Sequence, residues 1–152
     1  MGRFSERLGS ISVVGLDTAI FIYHFERHPK YFPLTQELFS GIEAGLRKGV
    51  TSTITLMEII VMPLALGRQD VARKYEALLV NFPNLEIVDL DRNVIRQAAR
   101  LRAEYRIRPP DALQASASLL NRVDVFITND ELLKRLRDEF EVIVLDDFID
   151  EA

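Results

Sequence analysis

The 152-residue chain has no cysteine, no tryptophan and only two histidines. Without cysteine there is no disulfide, no thiolate zinc site and no cysteine nucleophile, and a reducing cytoplasm is the simplest home. Long hydrophobic runs are lacking too. The longest apolar stretches fall well short of the roughly 20 residues that span a bilayer, so no membrane association is expected. The opening MGRFSERLGS is polar and charged, lacks the apolar core of a signal peptide, and reads as a loosely ordered tail over residues 1–10. A strong charge of one sign is missing: 19 basic against 23 acidic residues leave a formal net charge of −4. That balance disfavours general nucleic-acid affinity but leaves room for a local basic patch. P-loop, G-x-G-x-x-G and G-x-S-x-G patterns are also absent, so nucleotide cradling and serine hydrolysis have no support.

What is present is 48% hydrophobic residues, enough for one globular domain over residues 1–152. No linker, low-complexity segment or repeat marks a second domain. The periodicity alternates between strand and helix. ISVVGL (11–16), VTSTI (50–54), LEIVDL (85–90), DVFIT (124–128) and EVIVL (141–145) read as short strands. Between them, helices are expected from Ala19 to Phe25, from about Leu34 to Lys48 with Gly49 as the stop, and over TLMEIIVMPLALG with a break at Pro63. Others follow at about Asp70–Val80 and from Asp91, where Val94, Ala98, Leu101 and Tyr105 share one face. Pro109 and Pro110 end that helix and open the next, DALQASASLLN, and a short helix separates the last two strands. This alternation predicts an α/β fold: a parallel sheet of about five strands, covered by helices on both faces.

VVGLDTAIFIY (13–23) sets a charge, Asp17, inside an apolar stretch, where a carboxylate is costly unless paired. Ligands of open parallel sheets bind beyond the carboxyl ends of the strands. Asp17 ends the first strand, Asp130 ends the fourth, Glu58 lies in the first turn or two of the helix after the second, and Asp111 starts the helix after the two prolines. Four acids from four segments can therefore meet at one edge. Such a group repels itself unless a cation lies among its members. An all-oxygen set points to Mg²⁺ or Mn²⁺ rather than zinc.

These stretches carry a resemblance. LDTAIFIYHFE (16–26), VTSTITLMEIIVMPL (50–64), RAEYRIRPPDALQASAS (102–118) and VFITNDELL (125–133) lie in order and resemble a PIN-domain ribonuclease, in particular the VapC-like toxins of toxin–antitoxin pairs. The resemblance covers nearly the whole chain. It implies a single PIN-like domain, with Asp17, Glu58, Asp111 and Asp130 as acidic metal-binding positions and Thr18, Thr128 and Asn129 as residues orienting water or phosphate. Where many relatives carry a further Asp, this chain has Leu132, preceded by Glu131. The implied activity is Mg²⁺- or Mn²⁺-dependent RNA hydrolysis. The implied partners are an RNA substrate, a small antitoxin and a second copy of the chain.

Each acid also has a plain reading. Asp17 and Asp130 can cap the helices that follow, Glu58 can be an exposed helix residue, and Asp111 can complement a helix dipole. Arg92, Arg96 and Arg100 recur every fourth residue, with Arg102, Arg106 and Arg108 behind them: a solvated face, or a stripe that carries RNA phosphates to the acids. His24 and His28 share a helical spacing but read as structural, and Gly41, Gly45 and Gly49 allow a close helix approach. A haloacid-dehalogenase-like site wants Asp where Ala19 stands, and a receiver wants a Lys that FITND does not supply. A catalytically silent binding module and a free-standing RNA-processing nuclease are the remaining alternatives.

Overall fold

A computed structural model describes residues 2–149. The chain runs α1 (Gly2–Leu8), β1 (Val13–Leu16), α2 (Thr18–Phe25), α3 (Phe32–Glu43), β2 (Lys48–Ser52), α4 (Thr53–Ala65) and α5 (Gln69–Val80). It continues through β3 (Leu85–Val88), α6 (Arg92–Tyr105), α7 (Pro109–Leu120), β4 (Val125–Thr128), a 3₁₀ segment (Glu131–Asp138), β5 (Glu141–Val144) and a last 3₁₀ turn (Leu145–Phe148). The five strands form one all-parallel sheet in the order β3–β2–β1–β4–β5. The predicted α/β class and five-stranded parallel sheet are therefore present.

Side chains alternate across the sheet with period two. Val125 and Ile127 of β4 enter the larger apolar cluster, with Val14, Leu16, Phe21, Leu38 and Phe39. Phe126 between them enters the second, with Ala98, Leu101, Ala112, Ala115 and Leu133. Gly15 of β1 faces α7 so closely that a Cβ there would collide with the Ser118 side chain. The missing side chain is what lets α7 lie against the central strand, and α7 carries Asp111.

Several boundaries differ from the sequence expectations. The supposed tail forms α1, with Phe4 and Leu8 buried in the main core, because those two residues sit one helical turn apart. Met1 lies outside the described residues. The second long helix ends at Glu43, not Lys48, since Gly45 adopts a left-handed φ of +81°. Gly49 is then inside β2, packed under Leu85 and Ile42, and the strand stops at Ser52, whose hydroxyl caps α4. Pro63 falls in the last turn of α4 and does not break it. β3 and β5 are edge strands, so Leu85–Val88 is only half-buried and Glu141 is exposed.

Candidate active site

Strand order fixes the place of the site. From β1 the chain moves outward through β2 and β3, then returns to the other side of β1 as β4. The strand order thus reverses between β1 and β4, and a crevice opens beyond their carboxyl ends. Asp17 follows β1, and Thr128, Asn129 and Asp130 end and follow β4. α4, leaving β2, contributes Glu58, and the first turn of α7 contributes Asp111. All four acids line one cavity of about 310 Å³, together with Thr18, Tyr23, Arg108, Thr128 and Asn129.

Each carboxylate is held by a specific donor. Asp17 Oδ1 accepts the Thr18 N–H at 2.9 Å, so Asp17 caps α2, and Oδ2 accepts the Thr128 hydroxyl at 2.7 Å. Burial pushes the Asp17 carboxyl up to about 6; the bonds from Thr128 and Thr18 oppose that rise, and the charges of Asp111 and Glu58 add to it. Glu58 Oε1 accepts the Thr18 hydroxyl at 2.7 Å. Asp130 caps the 3₁₀ segment through the Leu132 N–H at 3.0 Å. Asp111, only 7% exposed, accepts Arg108 Nε at 3.0 Å, and Arg108 Nη2 lies 3.9 Å from Asp130. Asp17 and Asp130 therefore both cap the elements that follow them and line the cavity.

Thr128 and Asn129 hold neighbours. Besides its bond to Asp17, the Thr128 hydroxyl accepts the Asp130 N–H at 3.1 Å. Asn129 donates to the Tyr23 hydroxyl at 3.2 Å and accepts the Asp146 N–H at 2.9 Å. Glu131 pairs with Lys134 and does not line the cavity, while Leu132 is exposed, so among the described residues no fifth acid lines the cavity with the four. His24 stacks on Phe32 and meets the Thr35 hydroxyl, and His28 packs on Tyr23 and Tyr31; both serve packing.

The α6 arginines do not reach the acids. Arg100 is bound to Glu139 (2.7 Å) and Glu104 (3.1 Å), and Arg96 to Asn93 (2.9 Å). Arg96 and Arg100 line a separate depression with Glu86, Asp89 and Asp91, and Arg92 is exposed at the start of α6. The cation at the acidic cavity is Arg108, delivered by a sharp turn in which Arg106, at φ +55°, ends α6. The sequence marks Arg108 only as part of the basic cluster ahead of Asp111, and sequence reasoning passes over Gln114, Thr55, Thr51 and Ser52, which form a buried polar layer beneath Thr18 and Glu58. A usable signal existed. Arg108 and Gln114 each lie three residues from Asp111, and Thr55 lies three from Glu58. On a helix that spacing puts side chains on the same face.

The donor chemistry, four carboxylates and no thiolate, fits a hard divalent cation. Among the described residues, no three His, Asp or Glu side chains converge closely enough to hold one as they stand. The positive charge beside Asp111 and Asp130 is Arg108.

Solved structures share this fold. VapBC2 from Rickettsia felis bound to a promoter DNA fragment superposes with a TM-score of 0.66 at 20% identity, covering 87% of this chain and 98% of that one. DNA-bound VapBC from Salmonella typhimurium gives 0.63 at 22%, covering 89% and 98%. A toxin–antitoxin complex from Klebsiella pneumoniae gives 0.62 at 22%, covering 88% and 98%. No curated protein matches the chain. The PIN-domain family model, however, matches residues 14–139, from the second residue of β1 to just past the 3₁₀ segment that Asp130 caps, and so takes in all four acids. With that match over most of its length, the chain belongs to the PIN-domain family.

Proposed function

We propose that this chain is a metal-dependent endoribonuclease of the VapC type, the toxin of a toxin–antitoxin pair. The observation that carries the reading is the meeting of Asp17, Glu58, Asp111 and Asp130 around one cavity at the switch point of the sheet. Membership of the PIN-domain family and the likeness to VapBC complexes support it. A Mg²⁺ or Mn²⁺ ion bound by these acids supplies charge for the phosphoryl oxygens and lowers the pKa of an attacking water. The chain's own part is to hold the carboxylates in place: Thr128 and the Thr18 N–H on Asp17, the Thr18 hydroxyl on Glu58. Arg108, at the cavity mouth and largely exposed, is suited to meet a phosphate once it leaves Asp111.

The proposed partner is a small antitoxin, as in the toxin–antitoxin complexes of similar fold. Met57, Val61, Met62 and Leu64 stand exposed on α4, the helix that carries Glu58, and offer apolar surface to an antitoxin or to a second copy in a homodimer. No helix among the described residues is long and apolar enough to cross a membrane, and a cytoplasmic location is part of the proposal. One observation favours a second reading, a silent binding module: Arg108 lies where a cation would act.

RNA cleavage separates the two. The expected result is cleavage of single-stranded or loop RNA with Mg²⁺ or Mn²⁺, stopped by chelator and lost in Asp17→Asn. Cleavage undiminished in excess chelator defeats the metal reading. No cleavage under any divalent ion supports the silent module.

A further inference from the structure

A proton can be placed on every hydroxyl of the layer beneath the acids. Thr51 donates to the Leu16 carbonyl at 3.0 Å, so toward Thr55, 2.8 Å away, it can only accept. Thr55 therefore gives its single proton to Thr51 and must accept from its other close partner, Gln114 Nε2, at 2.7 Å. The second hydrogen of that amide goes to Thr18 Oγ1 at 2.9 Å. Gln114 Oε1 accepts the Ser52 hydroxyl at 2.7 Å, and Ser52 Oγ in turn accepts the Ile54 N–H at 3.2 Å. Thr18 accepts from Gln114 and keeps its one proton for Glu58 Oε1 at 2.7 Å. The 3.1 Å approach of Thr18 to Thr55 then holds no proton, since both are already committed.

Only one amide orientation closes this scheme. Turned over, Gln114 would set its oxygen against Thr18 and Thr55, competing with Glu58 and Thr51 for their protons or facing their oxygens lone pair to lone pair. The Thr18–Glu58 bond would be weakened, and the Ser52 proton would lose its acceptor in a site closed to water. Gln114 is 2% exposed and Ser52 and Thr55 are fully buried, so water cannot repair the loss.

We infer that Gln114 is a positioning residue of the acidic site: its amide sets the direction of the buried hydroxyl chain and so makes Thr18 a donor to Glu58. The inference rests on the reading of the acidic cavity as a metal site. It assigns Gln114 no contact with substrate, because Gln114 acts through Thr18. Partners that orient metal-binding side chains typically matter ten- to a hundredfold in metal affinity.

A double-mutant cycle tests it, with Mn²⁺ affinity of the full chain measured by calorimetry without RNA. Gln114→Glu keeps the shape and removes both donors. The expected result is about a tenfold or greater loss of Mn²⁺ affinity when Thr18 is present, and no comparable loss in a Thr18→Val background. The Thr18→Val arm cancels any direct effect of the new carboxyl group on the ion. If Gln114→Glu does not fold, Gln114→Met runs the same cycle, with a smaller loss again confined to the Thr18 background. Equal effects in both backgrounds, or no effect in either, overturn the inference while leaving the metal site standing. A wild-type chain that binds no Mn²⁺ overturns the proposed function, and the inference with it.

Discussion

Arg108 reaches across the Asp111 carboxylate, with Nε 3.0 Å from Oδ2 and Nη2 3.5 Å from Oδ1, three residues ahead of it at the start of α7. The same guanidinium is 3.9 Å from Asp130. An arginine of the chain thus balances part of a charge cluster that a divalent ion would otherwise balance. On the proposed function, a divalent ion would compete with Arg108 for the same oxygens.

Replacing Arg108 by Gln removes the competitor. Mn²⁺ affinity is expected to rise severalfold, because the ion no longer displaces a guanidinium from Asp111. The metal-free protein is expected to lose at most about 1 kcal/mol, since the Arg108 side chain is 72% exposed and such pairs are weak in water. Mn²⁺ titration and chelator-treated melts read both effects. Unchanged Mn²⁺ affinity would show that Arg108 does not guard the site.

Without bound metal, Asp17 is expected to make the stability of the protein depend on pH. Its folded pKa of about 6 lies above the ordinary Asp value of 3.8, so between those values the native state holds a proton that the unfolded chain has lost. Its contribution therefore falls as pH rises from about 4 to 6 and is flat beyond, by an amount on the order of 3 kcal/mol at most. In chelator, Asp17→Asn should gain stability over wild type across that window and hold the gain at pH 7. Adding Mn²⁺ should then reverse the order by stabilising wild type through mass action. Melts at pH 4, 5, 6 and 7 test this; a constant difference at all four would rule it out.

Gly15→Ala places a methyl group against Ser118 and the Phe126 ring. Overpacking of this kind costs about 1–3 kcal/mol. The displaced element is α7, which carries both Asp111 and Gln114, so Mn²⁺ affinity should fall along with the denaturant midpoint. A stability loss without an affinity loss would mean that α7 yields only near Ser118.

Arg92→Gln with Arg96→Gln should leave the salt dependence of RNA binding nearly unchanged, since neither residue lines the acidic cavity. Arg108→Gln should flatten it, because each lost phosphate contact lowers the slope by nearly one. Binding measured over a range of salt decides between them, and a slope lowered only by the Arg92 and Arg96 pair would restore the stripe on α6 as the RNA path.

Much of this molecule follows from local sequence. Alternating β-rich runs and amphipathic stretches lead to a parallel sheet, because strands buried on both faces need apolar residues throughout and helices need one apolar face. Asp17, Glu58, Asp111 and Asp130 are legible for a similar reason: three stand at a strand end or helix start and Glu58 stands in the second turn of α4, each a charge in apolar company that calls for a partner. Short-range signals fail where distant packing decides. Phe4 and Leu8 sit one helical turn apart, but two apolar residues among ten polar-looking ones do not announce the core that receives them. The stripe of Arg92, Arg96 and Arg100 has perfect helical spacing, yet Glu139, far along the chain, claims Arg100. Arg108 and Gln114 share a face with Asp111 by spacing alone, but their partners, Asp130, Thr18, Thr55 and Ser52, come from other segments. Sequence by itself determined which residues carry charge and which elements carry them. Tertiary structure decided which charges meet and which way the buried hydroxyls point, because a hydrogen bond acts only over about 3 Å and only folding brings distant segments that close.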